Sequence, residues 1–234
     1  MAQTFKVLSL LLSYPTAQLK TVIPEMRAAI ARDALLNQSQ RRRLDRLLDS
    51  LLAGDLYDLQ ERYVFLFDRT RTLSLHLFEH IHGESRDRGQ AMVDLMAMYE
   101  EHGLEIAARE LPDHLPLFLE FLSVLPVEEA RDMLAQPLHI IAALGARLRK
   151  RESDYAVVLE ALEDIAAAKP DRAGTDALLA EAEDDPTDLA ALDRVWEEEA
   201  VTFGGNAGEG ACGIDRIRTQ VRAAQRRPSQ PGAT

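Results

Sequence analysis

YVFLFDRTRTLSLHLFEHIHGESRDRGQAMVD, residues 63–94, is the most informative stretch of this chain. It combines aromatic side chains with three histidines, four arginines and a run of short polar residues. A segment that served only as hydrophobic core would be more uniformly apolar. Its composition therefore predicts a functional surface, and the residues on either side of it show which fold carries that surface.

Apolar residues repeat at helical spacing on both sides of this stretch. Spacings of i, i+3, i+4 and i+7 mark one face of an α-helix. Such patterns occur in residues 44–52, 56–67, 92–99, 115–122, 140–148 and 158–165. Four residues are expected to end or begin these helices: Gly54 and Gly103 as stops, and Asp55 and Asp113 as N-caps.

Strand signals are almost absent from the sequence. The β-branched residues are scattered, no alternating run is bounded by turn pairs, and no Asn-Gly hairpin occurs. We therefore predict an all-α fold, a single-domain bundle of roughly ten short helices over residues 1–203. Its last helix is predicted to begin at Asp185-Pro186. Residues 204–234, first rich in glycine and then basic, are predicted to form a flexible tail.

Composition and charge exclude several classes of protein. The single cysteine, Cys212, rules out an intrachain disulfide framework and a cysteine-rich metal centre. A net charge of -12 argues against a nucleic acid partner, because phosphate binding requires a basic surface. No apolar run approaches the ~18 residues of a membrane-spanning helix, and the apolar residues 7–12 lack a cleavage site for export. We expect a cytoplasmic protein without stable membrane association.

An enzyme motif lies inside the opening stretch. His76, Glu79 and His80 spell H-x-x-E-H, an inverted zinc-protease motif. On a helix the two histidines would share one face, and Glu79 would serve as the general base. Apolar residues at every fourth position from residue 73 to 81 are compatible with such a helix. A third ligand at a recognisable spacing is missing, so a zinc hydrolase stays an alternative to a polar helix face.

Three blocks of sequence point instead to a known family. The first comprises YVFLFD at 63–68, SLHLFEH at 74–80 and HGESRDRGQAM at 82–92. The second, ELPDHLPLFLEFL at 110–122, contains an Asp-His pair shared by a wider group of redox-enzyme maturation chaperones. The third is WEEEAVTF at 196–203, with Ala200 where a proline is usual. Together they resemble the signatures of the nitrate reductase delta-subunit family, the NarJ-type molybdenum-cofactor assembly chaperones.

This resemblance implies a dedicated chaperone that is not an enzyme and has no cofactor of its own. Such a chaperone binds the apo catalytic (alpha) subunit of respiratory nitrate reductase, including an N-terminal segment that resembles a twin-arginine signal. It promotes insertion of molybdenum cofactor before membrane docking, with molybdenum-cofactor biosynthesis proteins as further partners. A chaperone for the signal peptide of another molybdoenzyme, such as a sulfoxide or amine-oxide reductase, is the alternative, and the run at 82–89 argues against it.

The expected client site combines apolar walls with acidic rims, because a helical client segment presents an apolar stripe and basic ends. Its residues are the walls Tyr63, Phe67, Leu77, Phe78, Leu115 and Phe118, the carboxylates Asp68, Glu79 and Asp113, and the histidines His76, His80 and His114. The histidines would make binding depend on pH. The resemblance to the wider chaperone group implies a functional role first of all for Asp113 and His114. The alternative is that Asp113 serves only as an N-cap.

Truncation after Phe203 should leave folding and client affinity intact, because residues 204–234 contain almost no core-forming side chains. The melting temperature followed by circular dichroism should stay within about 2–4 °C of the full chain, the shift that 1 kcal/mol produces in a domain of this size. A larger drop would mean that the tail contributes to the core.

Overall fold

Twelve α-helices and one 3-10 turn, Arg71–Leu73, make up the regular structure of the residues that the computed structural model describes, namely 2–82, 86–106 and 110–188. The helices are α1 Gln3–Leu11, α2 Ala17–Thr21, α3 Ile23–Asp33, α4 Gln38–Ala53, α5 Leu56–Phe67, α6 Glu79–His82, α7 Arg86–Glu101, α8 Leu115–Val124, α9 Val127–Ala135, α10 Leu138–Lys150, α11 Ala156–Ile165 and α12 Arg172–Ala180. The predicted all-α class is confirmed.

Several helix ends lie where the sequence signals place them. Asp55 caps α5 by accepting a hydrogen bond from the Tyr57 N–H, at 2.9 Å. The α4 helix ends at Gly54, as predicted. Gly103 has a positive φ of 77°, which glycine adopts without steric cost, and it terminates α7. The start of α4 uses a capping box between Asn37 and Gln40, which was not among the predicted helix signals.

The core is a continuous set of apolar side chains contributed by most of the helices. Helix α1 packs against α8, and α10 packs against both α11 and α12. A buried hydrogen bond of 2.6 Å from the Ser9 hydroxyl to the Pro116 carbonyl joins α1 to the start of α8. Each fully buried Leu or Ile side chain stabilises the fold by about 1.5–3 kcal/mol. The described helices contain no segment that is both long and apolar enough to cross a membrane.

The prediction that Asp113 caps a helix is wrong. His114 occupies the N-cap position of α8, and no side chain caps that helix. Asp113 lies one residue earlier and directs its carboxylate across the fold to the backbone N–H of Phe78, at 3.0 Å. Proline in the first turn of α8 removes one of the N–H groups that a cap would have served, which lowers the need for it.

The helix through residues 73–81 that the zinc motif would require is not formed. The 3-10 turn ends at Leu73, residues 74–78 run in extended and turn conformations, and α6 begins only at Glu79. His76 pairs with His114 in an antiparallel bridge. His76 and His80 therefore do not share a helix face, which removes the geometry that the zinc motif requires.

Some predictions fall outside the described residues. The described residues end at 188. Three predictions lie wholly or partly beyond that residue: the helix from Asp185-Pro186 to Trp196, the boundary between residues 1–203 and 204–234, and the flexible tail. At its described start, Asp185 accepts hydrogen bonds from the N–H and hydroxyl of Thr187, at 2.8 and 2.6 Å. The described residues all belong to one compact unit.

Leu48→Ala should lower the free energy of unfolding by about 2–5 kcal/mol, because Leu48 is fully buried and its removal leaves a cavity. Leu52, one turn later on the same helix, is 52% exposed and serves as the matched control. Leu52→Ala should cost under about 1 kcal/mol. Equal losses in denaturant unfolding would show that α4 does not present Leu48 to the core.

Candidate functional site

The centre of the candidate site is the buried carboxylate of Asp113, which is 0% exposed. One carboxylate oxygen accepts the Phe78 N–H at 3.0 Å, and the other lies 3.2 Å from Nδ1 of His76. Burying a carboxylate costs several kcal/mol unless hydrogen bonds or a counter-charge offset the loss of water. Here a backbone N–H and an imidazole supply that offset, and both belong to the segment that carries the first sequence signature.

Backbone hydrogen bonds reinforce this contact. The Leu77 N–H donates to the Asp113 carbonyl at 3.0 Å, and the Leu115 N–H donates to the Leu75 carbonyl at 2.8 Å. Residues 75–78 and 113–115, which we call the Asp113 bridge, are thus joined by main chain and side chain together. The two segments have irregular backbones, so these contacts satisfy peptide groups that no helix would serve.

The two histidines of the bridge have different protonation tendencies. The hydrogen bond to Asp113 raises the pKa of His76, which favours a charged imidazolium beside the carboxylate. His114 lies 5.1 Å away, ring centroid to ring centroid, with the planes 32° apart. Burial lowers the pKa of His114, and the positive charge of His76 lowers it further. The pair is therefore set to carry one charge rather than two.

Glu79 and His80 begin α6 at the edge of the bridge. Glu79 forms an ion pair with Arg88 of α7, at 3.2 Å, and both side chains are about a quarter exposed. Nε2 of His80 lies 2.9 Å from the Ser74 carbonyl, and burial lowers its pKa. Glu79 thus presents a carboxylate whose partner is a partly exposed arginine that another cation could replace.

The predicted wall residues are mostly core. Tyr63, Phe67, Leu77, Leu115 and Phe118 are each 8% exposed or less. The Tyr63 hydroxyl donates to the Leu12 carbonyl at 2.8 Å, and the Tyr63 and Phe67 rings pack at 5.0 Å. Those two rings continue to Tyr14 and Tyr155 in one aromatic cluster.

Other predicted residues reach the surface. Phe78 is half-buried against the core, and Asp68 is exposed at the end of α5. The structure therefore brings His76, Leu77, Phe78, Asp113, His114 and Leu115 together at the bridge, with Glu79 and His80 directly following.

Three contributors to the site were not predicted from the sequence. The Tyr99 hydroxyl donates to the Pro112 carbonyl at 2.8 Å and so fixes the residue before Asp113. Ser74 accepts the His76 N–H on its hydroxyl, at 3.2 Å. Ile81, which follows His80, is 50% exposed. Tyr99 belonged to a helical apolar stripe, and nothing in that pattern shows where a hydroxyl points.

A metal site is not formed by this geometry. Across residues 2–82, 86–106 and 110–188, no three histidine, cysteine, aspartate or glutamate side chains converge as metal ligands would. The ring nitrogens Nδ1 of His76 and Nε2 of His80 already face Asp113 and Ser74 respectively. The arrangement is suited to holding a surface in one conformation and presenting mixed apolar and charged groups.

Comparisons with known proteins agree with the sequence signatures. The family model described as "Nitrate reductase delta subunit" matches residues 33–161. The "Nitrate reductase molybdenum cofactor assembly chaperone NarJ" of Escherichia coli strain K12 is 48% identical over 216 residues, which cover 92% of this chain and 90% of that protein. The "Probable nitrate reductase molybdenum cofactor assembly chaperone NarJ" of Bacillus subtilis strain 168 is 34% identical over 166 residues, 69% of this chain and 89% of that protein.

The bond between His76 and Asp113 should make stability depend on pH. Because folding raises the pKa of His76, protonation of His76 stabilises the folded protein. This stabilisation is fully present below pH 6.5, the ordinary pKa of histidine, and is lost as pH rises through the pKa of His76 in the folded state. His80 and His114, with lowered pKa values, contribute with the opposite sign, so the comparison must isolate His76.

Denaturant unfolding of the wild type and of His76→Gln at several pH values provides that comparison. The wild type should exceed the variant by the worth of a charged hydrogen bond, roughly 1.5–3 kcal/mol, below pH 6.5. The difference should shrink at higher pH. A difference that does not change with pH would mean that His76 is not protonated beside Asp113.

Proposed function

The chain belongs to the nitrate reductase delta-subunit family of NarJ-type molybdenum-cofactor assembly chaperones, and we propose that its client is the apo catalytic (alpha) subunit of respiratory nitrate reductase. In this proposal the chaperone binds the N-terminal segment of that subunit at the Asp113 bridge. It holds the apo-enzyme ready for molybdenum cofactor until the subunit docks at the membrane. The relatives' names support the class of client.

One observation carries the choice of site: the wholly buried carboxylate of Asp113 holds residues 75–78 in a conformation that no helix or sheet provides. Burying a carboxylate is costly unless its hydrogen bonds are made, so Asp113 favours the one arrangement of residues 76–78 that makes them. The two segments that it joins come from the two strongest sequence signatures. The proposal follows from that coincidence of signature and geometry.

The chemistry of the exposed groups fits a segment with apolar and basic residues. Phe78 and Ile81 offer apolar contact area, and Glu79 and Asp68 offer carboxylates. An arginine of the client would replace Arg88 as the partner of Glu79. The client would then form a charge-assisted hydrogen bond to Glu79, and Arg88 would become solvated. The weak net gain from such an exchange means that apolar contact supplies most of the affinity.

The buried wall residues have a supporting role in this proposal. Tyr63, Phe67, Leu77, Leu115 and Phe118 pack the core from which Phe78 emerges. They contact the client only if residues 74–82 move away from the core, as irregular segments with few regular hydrogen bonds can do. The proposal places this action in the cytoplasm, with molybdenum-cofactor biosynthesis proteins as further partners.

Calorimetry with a synthetic peptide of the catalytic subunit's first ~15–20 residues, enough for several helical turns, tests the client. The wild type should bind with a dissociation constant of about 1 μM or lower. A peptide from the N-terminus of an amine-oxide reductase should bind at least about tenfold more weakly. Absence of heat with the nitrate reductase peptide would remove the proposal, and stronger binding of the second peptide would reassign the client.

Two substitutions test the site in the same assay. Asp113→Asn removes the charge that orients His76 and should weaken binding by about tenfold or more, the worth of a charged hydrogen bond. Glu79→Gln should weaken it by roughly two- to fivefold, because the contact is partly exposed. Asp45→Asn is the control: this carboxylate also pairs with an arginine, Arg27 at 3.0 Å, but lies on α4. Equal effects of Glu79→Gln and Asp45→Asn would contradict the location.

A further inference from the structure

Arg147, on α10, is a buried cation without a carboxylate partner among the described residues. It is 3% exposed. One guanidinium nitrogen donates to the Thr72 carbonyl at 2.9 Å, and another donates to the Leu178 carbonyl. Its Nε has no hydrogen-bond partner in the described part of the chain. Arginine is rarely buried in this way, because removing its charge from water is costly. For Arg147, hydrogen bonds to two backbone oxygens offset that cost.

The two carbonyls that Arg147 joins belong to separate elements. Thr72 lies in the 3-10 turn Arg71–Leu73, and Leu178 lies near the end of α12. The Thr72 side chain adds a second connection: its hydroxyl accepts the Asp184 N–H at 3.0 Å and lies 3.2 Å from the Asp184 carboxylate. We call this set, Arg147 with Thr72, Leu178 and Asp184, the Arg147 clamp.

The clamp acts on the segment that enters the Asp113 bridge. Ser74 follows Thr72 by two residues, and the Ser74 N–H closes the 3-10 turn on the Arg71 carbonyl at 3.1 Å. The Ser74 hydroxyl then accepts the His76 N–H, and its carbonyl faces Nε2 of His80 at 2.9 Å. The position of Ser74 therefore sets the position of both histidines, and the clamp sets the position of Ser74.

We propose that Arg147 is a positioning residue of the client site, which fixes the 3-10 turn so that Ser74 holds His76 and His80 in their binding orientation. Its link to client affinity rests on the proposed function, whereas its link to Ser74 and His80 does not. Asp113 holds the far end of the segment 74–78, and Arg147 holds the near end. The irregular segment is thus fixed at both ends by a buried charge bonded to backbone.

The charge of Arg147 is also felt at His80. The groups that act on the His80 ring are the Ser74 carbonyl, Arg147, Glu79 and Glu181; burial is the largest cause of its lowered pKa, and Arg147 lowers it further. His80 therefore reports on the clamp without any client being present. Loss of burial would also raise the pKa of His80, so the effect of Arg147 is judged against Arg131→Met in variants that stay folded.

The experiment compares Arg147→Met, Arg147→Lys and Arg131→Met in the full chain. Arg131 is the control, because its Nε also donates to a backbone carbonyl, that of Ile165 at 2.8 Å, but it joins α9 to the end of α11. Histidine side-chain NMR gives the pKa of His80, assigned with His80→Gln. Calorimetry with the nitrate reductase N-terminal peptide gives affinity.

Arg147→Met should raise the pKa of His80 and weaken binding of the peptide by about tenfold. Arg147→Lys keeps the charge but lacks the planar fork, so the pKa of His80 should stay lowered while affinity falls by roughly threefold. Arg131→Met should change neither.

Equal losses of affinity in Arg147→Met and Arg131→Met would overturn the proposal, and so would unchanged affinity in a folded Arg147→Met. If Arg147→Met does not fold, Arg147→Lys decides, and wild-type affinity in that variant would overturn it. If the wild type binds no peptide, the client proposal fails, and the clamp is judged on the pKa of His80 alone.

Discussion

The hydrogen bonds of the Asp113 carboxylate are the contacts on which the conformation of the Asp113 bridge depends. Residues 75–78 belong to no helix or sheet; their backbone contacts include the bridge to residues 113–115 and the hydrogen bonds that the carbonyls of residues 76–78 accept from residues 79–81. Their peptide groups must still be satisfied, because a buried N–H without a partner costs about as much as a lost hydrogen bond. Asp113 supplies that partner to Phe78 and orients His76 at the same time. The helices around it are a scaffold that brings the two segments together.

Two buried charges, one of each sign, fix this irregular region. Asp113 is satisfied by a backbone N–H and an imidazole, whereas Arg147 is satisfied by two carbonyls. Each charge satisfies buried backbone groups that an apolar side chain would leave unpaired, so the two charges favour one conformation of the segment between them. A region held by a few discrete bonds can also open locally at less cost than a helix core. That property suits a chaperone whose client must be bound and later released.

Much of the fold was predictable because its cause is local. The apolar spacing of residues 44–52 and 140–148 can be satisfied by a helix alone, and Asp55 and Gly54 act within one turn of themselves. The site was less predictable because its contacts are long-range. Asp113 looked like an N-cap in sequence, but its acceptor oxygens serve a residue 35 positions away. An apolar spacing pattern identifies side chains that avoid water, and it does not tell a core position from a groove wall.

The same limit applies to the motif that first suggested zinc chemistry. His76, Glu79 and His80 have the spacing of a metal site only if the segment is helical. The backbone of that segment is instead bonded to Asp113, 35 residues away in the second signature, which a five-residue motif does not include. Matching several blocks in order along the chain was therefore more informative than any short motif, since each block constrains the others.

Hydrogen exchange with and without the nitrate reductase N-terminal peptide tests the central claim most directly. If the Asp113 bridge receives the client, amides of residues 74–82 and 113–118 should gain protection when the peptide binds, and Asp113→Asn should abolish that gain. Helices α3 and α9 should exchange as before. Binding that protects other helices and leaves the bridge unchanged would contradict the account.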